Sequence, residues 1–213
     1  MIERRPRVRF MGALGLVVLA AGAASATEPR HAEGRVHPGA ASASAPGVYA
    51  PYAFLVGEWN LVAESGGPAL GRATLRWGPE RSYIWYASSF LDDGKLVPHF
   101  EGILVWNGVR KDLDMLISMD LHGGRVQERG SVSVEPDGSV VRDITATYSE
   151  GARPIGLPTA GPAGATAHFR QTFRAAGPNR VLTAALREEG GAWVPTFPGS
   201  DHLAMERRAG GAR

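Results

Sequence analysis

The feature of this sequence that most constrains its fold is a series of turn signals at a nearly constant interval. Clusters of Gly, Pro, Asn and Asp, the residues that favour tight turns, punctuate the chain nine times between residues 66 and 191. The stretches between them are rich in Val, Ile, Thr and aromatic residues, a composition that favours β-strands. Nine turns predict ten strands, which we place at 59–65, 70–77, 82–91, 97–106, 111–120, 125–135, 139–148, 166–175, 180–188 and 201–208.

A meander of ten strands favours closure into a barrel, because closure removes the exposed edges of the sheet. No stretch carries sustained helical periodicity, and residues 51–57 are expected to form a short helix or turn before the first strand. We therefore predict an all-β fold, an antiparallel up-and-down meander of about ten strands closed into a barrel. Its expected extent is residues 49–208.

The lengths of the turns predict which side chains share a face of the sheet. A two-residue Asp93-Gly94 loop would place odd positions of the third strand beside even positions of the fourth, which groups Trp85 with Phe100. The Asn107-Gly108 turn adds Met115 to the same face. We take this uniformly apolar face as the interior. The opposite face mixes apolar and polar residues, and it is either a polar-lined lumen or an outer surface covered by the N-terminal segment or a second subunit.

Both ends of the chain differ from the barrel region. Residues 1–26 combine a basic start, a short apolar core and an Ala-Ser-Ala cleavage pattern, which together are typical of a secretory signal peptide. The apolar core is shorter than the roughly 20 residues that cross a bilayer. Residues 27–48 are expected to form a flexible tether, and residues 209–213 a disordered tail. The sequence thus predicts an exported protein, either periplasmic or secreted, with no membrane span after removal of the signal.

The charge and composition of the chain exclude several classes of function. Removal of residues 1–26 would take four arginines and one glutamate from the 23 basic and 21 acidic residues, so the mature chain would carry a net charge near −1. Nucleic acid is not an expected partner of such a chain. The absence of cysteine excludes disulfides, thiolate catalysis and Cys-ligated metals. No nucleophile-elbow, phosphate-loop or dinucleotide motif is present, so the sequence does not predict an enzyme.

The opening of the first strand resembles that of a known group of barrels. Phe54-Leu55-Val56-Gly57-Glu58-Trp59 is similar to the F-L-x-G-x-W opening of lipocalin-like barrels of the calycin group, especially its uncharacterised bacterial members and, more distantly, nitrobindin-type ten-stranded barrels. The resemblance implies a lipocalin-like barrel. It also implies that Trp59 closes one end of the barrel beneath a basic residue of the last strand. Arg207 fits this role as a cation over the indole face.

The likeness to nitrobindin-type barrels implies a candidate haem ligand. Those barrels hold haem through a histidine near the C-terminus, and His202 occupies the corresponding region here. The chain departs from the family pattern G-x-W-x-G-x-G, since Leu61 and Ala63 stand where glycines would let haem approach the backbone. Alternation along the last strand would also turn His202 outward. A haem-dependent redox protein is therefore an alternative hypothesis.

Polar and charged residues within the strands supply further candidates. His99 and Glu101 share one face of the fourth strand, but no third ligand accompanies them and no metal site is predicted. Glu128 and Arg142 lie on apolar faces of the sixth and seventh strands, where a charge suggests ligand recognition. Their expected offset of about four residues would prevent direct contact, and the alternative is that each reaches water near a rim. Gln171, between two phenylalanines, is a further polar candidate for the lumen.

These observations lead to one main hypothesis and two alternatives. The main hypothesis is an exported barrel that binds a small apolar or amphipathic molecule in its lumen without a cofactor, because barrels wider than eight strands have room for a ligand. Gln171 or His202 would orient the polar end of the ligand, and the 149–165 loop would gate access. The expected lining residues are Trp85, Phe100 and Met115. The alternatives are the haem protein and a non-catalytic homodimer that buries the mixed face of the third to fifth strands.

Overall fold

The computed structural model describes residues 47–92, 95–121, 124–152 and 162–208. Two 3₁₀ helices, Gly47–Leu55 and Pro79–Arg81, lie within these ranges, and neither is long and apolar enough to cross a membrane. The rest of this part of the chain is built mainly from antiparallel strands. They are β1 Gly57–Ala63, β2 Gly71–Trp77, β3 Ile84–Asp92, β4 Lys95–Asn107, β5 Asp112–Leu121, β6 Gly124–Val134, β7 Val140–Tyr148, β8 Thr166–Ala175, β9 Arg180–Glu189, β10 Ala192–Pro195 and β11 Leu203–Arg207.

Ten of these strands close into a barrel, which confirms the predicted fold class. Strands β1 to β9 pair in chain order, and β11 pairs with both β9 and β1 to close the ring. The additional strand, β10, pairs with the far end of β9, where Trp193 lies opposite Glu188. The prediction from sequence omits β10 because only four strand residues follow the Gly190-Gly191 turn. This closed ladder satisfies the backbone groups of the wall and fixes which side chains face inward.

A β-bulge reverses the predicted faces of β3. Near the turn Leu91 pairs with Leu96, as a two-residue loop predicts, but the register has shifted by one residue where Ser88 pairs with Phe100. A one-residue shift moves every following side chain to the other face of the sheet. The even positions of most of β3 therefore face the lumen, and the predicted interior position of Trp85 is wrong. The predicted inward faces of β4 and β5 are unaffected, because they are set by the next turn.

The N-terminal 3₁₀ helix, Gly47–Leu55, closes one end of the barrel with buried tyrosines. The Tyr52 hydroxyl donates to the backbone oxygen of Val132 at 3.0 Å. The Tyr49 hydroxyl donates to the backbone oxygen of Ser82 at 2.7 Å. The buried tyrosine rings and their hydrogen-bonded hydroxyls attach the helix to the ends of several strands. We call this the plugged end of the barrel.

Trp59 and Arg207 complete the plugged end. They lie opposite each other on β1 and β11, and the guanidinium carbon of Arg207 is 4.2 Å from the centroid of the Trp59 ring. The indole N–H donates to the backbone oxygen of Leu55 at 2.8 Å, and Arg207 Nη1 donates to that of Val56 at 3.1 Å. A side chain at Gly57 would collide with the guanidinium, so the glycine is needed for this close approach. The structure thus places both residues as the lipocalin-like resemblance implies.

Candidate functional site

Most side chains that face the lumen are tightly packed, and a few aromatic ones are only partly buried. Inward residues of β5 to β7 that are at most 3% exposed include Met115, Ile117, Val126, Val132 and Val140. The rings of Tyr86, Phe100 and Phe169 on the neighbouring strands β3, β4 and β8 also face inward but are only partly buried. Accessible apolar surface inside a barrel is the surface that a ligand would cover. This partly buried apolar surface lies beside Arg142, the buried cation of β7.

Arg142 is the centre of the polar part of the lumen. This residue is only 4% exposed. Its Nη1 donates to Gln171 Oε1 at 2.8 Å, and its Nε and Nη2 point at Met115 Sδ at 3.2 and 3.0 Å. The guanidinium also lies 4.9 Å from the centroid of the Tyr86 ring. A thioether sulfur is a weak acceptor, so this buried cation has modest partners for a group that is costly to desolvate. A ligand oxygen would be a stronger acceptor.

Glu128 approaches the same guanidinium from β6. Its Oε2 is 3.8 Å from Arg142 Nη2, which is ion-pair distance but longer than a hydrogen bond. The register offsets the two residues by four positions, as predicted, because Glu128 pairs with Ala146 and Arg142 with Val132. The expectation that they cannot meet is wrong, since the long arginine side chain spans the offset. Burial raises the pKa of Glu128 to about 7, although the nearby charge of Arg142 acts to lower it.

Other polar side chains extend the cluster along the lumen. Gln171 Nε2 lies 3.5 Å from Thr183 Oγ1 on β9. Thr183 is buried and Gln171 is partly buried. The Ser88 hydroxyl is buried on the inward face of β3 and has no hydrogen-bond partner within the described ranges. Burial, and secondarily the charge of Glu128, raise the pKa of Tyr148 to about 12, so its hydroxyl stays a donor at physiological pH. These groups give a bound molecule several hydrogen-bonding positions.

The structure brings together three of the five residues that the sequence predicts for ligand binding. Phe100, Met115 and Gln171 all face the lumen, and the latter two contact Arg142. Trp85 is on the outer wall, where the Arg76 guanidinium carbon lies 3.9 Å from the centroid of its ring. The bulge between Ser88 and Ser89 is the physical reason for this correction.

His202 does not join the lumen cluster. Its side chain is 74% exposed just before β11, with Nδ1 3.4 Å from Glu64 Oε2 and Nε2 3.6 Å from Asp201 Oδ2. The inward positions of β11 are odd-numbered, so a histidine at an even position turns outward. The side chain of His99 lies outside the described residues. In the ranges that the structure does describe, no three His, Asp or Glu side chains gather as a metal site would require.

The end opposite the plug carries the start of the predicted gating loop. Residues 153–161 of that loop lie outside the described part of the chain. Ala152, just before them, is fully buried and packs in one cluster with Met119, Val126 and Tyr148. The chain therefore turns over the rim of the barrel at this point, above the partly accessible lumen. The gating role of the loop stays a prediction.

The outer face of β4 and β5 is mixed, as the sequence predicts. Leu116 is 50% exposed there, and Ile103 and Val105 are partly buried on the same outer wall. A homodimer through this surface stays a prediction. Light scattering coupled to sizing chromatography tests it, because a monomer at high micromolar concentration would contradict it.

Sequence reasoning did not place Arg142 at the centre of the site. The available signal was that two charged residues interrupt the inward apolar alternation of adjacent strands.

Comparison with known proteins adds no family assignment, since no family model matches the chain and no curated protein shows significant similarity to it. The closed ten-stranded antiparallel barrel is consistent with a lipocalin-like fold.

Proposed function

We propose that this chain is a lipocalin-like carrier that binds a small amphipathic molecule in its lumen. The acidic or hydrogen-bond-accepting head of the ligand contacts Arg142 and Gln171. Its apolar part covers the partly buried rings of Tyr86, Phe100 and Phe169. The observation that carries this proposal is a buried arginine whose hydrogen-bond acceptors are an amide oxygen and a thioether, with the Glu128 carboxylate at 3.8 Å, beside partly buried aromatic rings. The signal-like residues 1–26 support the further proposal that the carrier acts after export.

The energetics favour a ligand with both an apolar and an acidic part. Each square ångström of apolar surface removed from water stabilises the complex by about 25 cal/mol. Charge-assisted hydrogen bonds from a guanidinium to a carboxylate are stronger than those to a thioether or an amide. Because Glu128 competes for the same guanidinium, an acidic ligand binds best when Glu128 is neutral. The proposed carrier therefore prefers acids over the corresponding alcohols, most clearly below neutral pH.

The direct test compares two fluorescent probes, a polyene fatty acid and the corresponding polyene alcohol. The wild-type chain should bind the acid more tightly than the alcohol, by roughly tenfold if the head group gains one charge-assisted bond. The Arg142→Met, Glu128→Gln double variant removes both charges together and leaves no buried ion unpaired. It should bind the two probes equally.

The matched control is Arg129→Met, because Arg129 is an exposed arginine on the outward face of the same wall. This variant should keep the wild-type preference for the acid. Absence of saturable binding by both probes would contradict the carrier proposal. Native mass spectrometry of the protein purified from its own host adds an independent readout, since a retained small molecule would be weighed directly.

No observation favours the haem alternative as a second function. His202 is outside the lumen, and its ring contacts two carboxylates. The lumen cluster offers arginine, glutamine and a thioether instead of a second nitrogen ligand.

A further inference from the structure

A depression lies on the outside of the barrel wall. It has a volume of about 500 Å³, within the range of small-molecule sites. We call it the outer groove. Its outward-facing polar and aromatic lining residues are Arg110, Ser131, Asp143, Thr145, His168, Glu188 and Trp193. The inward-facing positions Gly130, Ile144 and Phe169 also contribute to its lining. They come from the β4–β5 turn and from strands β6 to β10, so the groove crosses several strands of the wall.

The aromatic side of the groove is formed by the extra strand of the fold. Trp193 lies on β10, whose one strand partner in the described part of the chain is β9, and the residue is 39% exposed. The Arg170 guanidinium carbon is 4.7 Å from the centroid of its ring, and Arg170 Nε donates to Asp143 Oδ1 at 2.8 Å. The indole, the guanidinium and the carboxylate thus form a connected array. Such an array loses little side-chain entropy when a ligand binds.

The floor of the groove is polar, and the arginines at its edges are paired with carboxylates. The Thr145 hydroxyl and His168 Nδ1 are 3.3 Å apart on neighbouring strands. At the far side, Arg110 Nη2 lies 3.0 Å from Asp112 Oδ1 and 2.6 Å from Asp114 Oδ1. Because the arginines already have carboxylate partners, an ionic ligand would have to displace one of them. A neutral ligand with many hydroxyls can instead donate to the carboxylates and accept from the guanidinium groups without breaking a pair.

We propose that the outer groove binds a neutral oligosaccharide, with Trp193 stacking against a sugar ring and Asp143, Thr145 and His168 bonding its hydroxyls. A pyranose ring has an apolar C–H face and a polar rim, and an exposed indole beside hydrogen-bonding groups complements both. The open shape of the groove on the outer wall suits a chain that continues past the site. This site is independent of the lumen, since its side chains point to the opposite face of β7 and β8.

The test uses four neutral tetrasaccharides, those of β-linked glucose, α-linked glucose, mannose and N-acetylglucosamine, in titration calorimetry with the full chain. At least one should bind saturably with a dissociation constant of about 1 mM or tighter. Trp193→Ala should weaken that binding roughly tenfold, as loss of a central aromatic contact does. Asp143→Asn, which keeps the shape of the side chain, should weaken it as well.

The matched control is Trp85→Ala. Trp85 is also an outer-wall tryptophan stacked with an arginine, but it does not line the groove. Its removal should leave saccharide binding unchanged, and Trp193→Ala should leave binding of the fatty-acid probe unchanged. The proposal is overturned if none of the four sugars binds, or if Trp193→Ala and Asp143→Asn both bind as the wild type does. Tighter binding of an acidic oligogalacturonate than of every neutral sugar would overturn the assignment of a neutral ligand.

Discussion

Replacing Glu128 with glutamine should remove a pH-dependent loss of stability from this protein. The carboxyl is almost fully buried, and burial raises its pKa from an ordinary 4.5 to about 7. Between these two values the native state holds a proton that the unfolded state has already released. The free energy of unfolding therefore falls as pH rises through this window, and the loss is complete once pH exceeds the native pKa. Glutamine has the shape of the neutral acid and does not titrate.

The magnitude follows from the difference between the two pKa values. One pKa unit corresponds to 1.36 kcal/mol, so the shift of Glu128 amounts to about 3 kcal/mol in the free energy of unfolding. The titratable groups that face this carboxyl are Arg142, whose positive charge opposes the shift, and Tyr148, whose own pKa of about 12 keeps it neutral in this range. Near pH 4.5 the wild type and Glu128→Gln should be similarly stable. At pH 8 the variant should be more stable by about 3 kcal/mol.

Urea unfolding followed by tryptophan fluorescence at several pH values between 4.5 and 8 measures this difference. The control is Glu206→Gln, which alters an exposed carboxylate on β11 and should leave the pH profile unchanged. Parallel profiles for the wild type and Glu128→Gln would refute the reasoning. A variant that becomes less stable than the wild type as pH rises would also refute it, because that result would mean that the charged pair with Arg142 stabilises the fold on balance.

Three further substitutions test the plugged end and the haem alternative. Tyr52→Phe removes the hydroxyl that donates to Val132, and urea unfolding should show a loss of about 1–2 kcal/mol; no loss would mean that water replaces the bond. Arg207→Met removes the cation from the Trp59 face, and the free energy of unfolding should fall by about 1–3 kcal/mol, whereas unchanged stability would argue against its closing role. His202→Ala should leave the haemin absorption spectrum as it is with wild type, and a Soret shift lost in the variant would show that His202 ligates haem and would support the haem alternative.

The turn pattern is sufficient to predict the barrel because each hairpin is determined by the few residues of its own turn. Gly, Asn and Asp at fixed positions determine a turn, and alternation then determines the faces of the next strand. This is why Phe100 and Met115 were placed correctly from their shared turn. The face of Trp85 was predicted wrongly, because the turn residues do not indicate a bulge within the ladder. The four-residue strand β10 was missed for a related reason, since it is too short to show alternation.

The candidate site was harder to predict because it depends on side-chain reach. Register correctly gave the four-residue offset between Glu128 and Arg142, but a backbone offset does not limit an arginine that can extend along the lumen. The contact between Arg142 and Met115 crosses from β7 to β5, two strands away. Such contacts depend on the curvature of the closed wall and on Gly130, the inward position between them that carries no side chain.

Strands β6 to β8 present two different chemistries because the pleat sends neighbouring residues to opposite faces. Arg142 and Asp143 are adjacent in sequence, yet the first faces the lumen and the second faces the outer groove. Gln171 and Arg170 on β8 divide in the same way. The outward side chains of a barrel wall need only be polar and solvated. On this wall the outward polar side chains Arg170 and Asp143 are arranged beside the exposed indole of Trp193. The two surfaces that we propose for one wall would let a carrier hold a small molecule inside while its outside is attached to a saccharide.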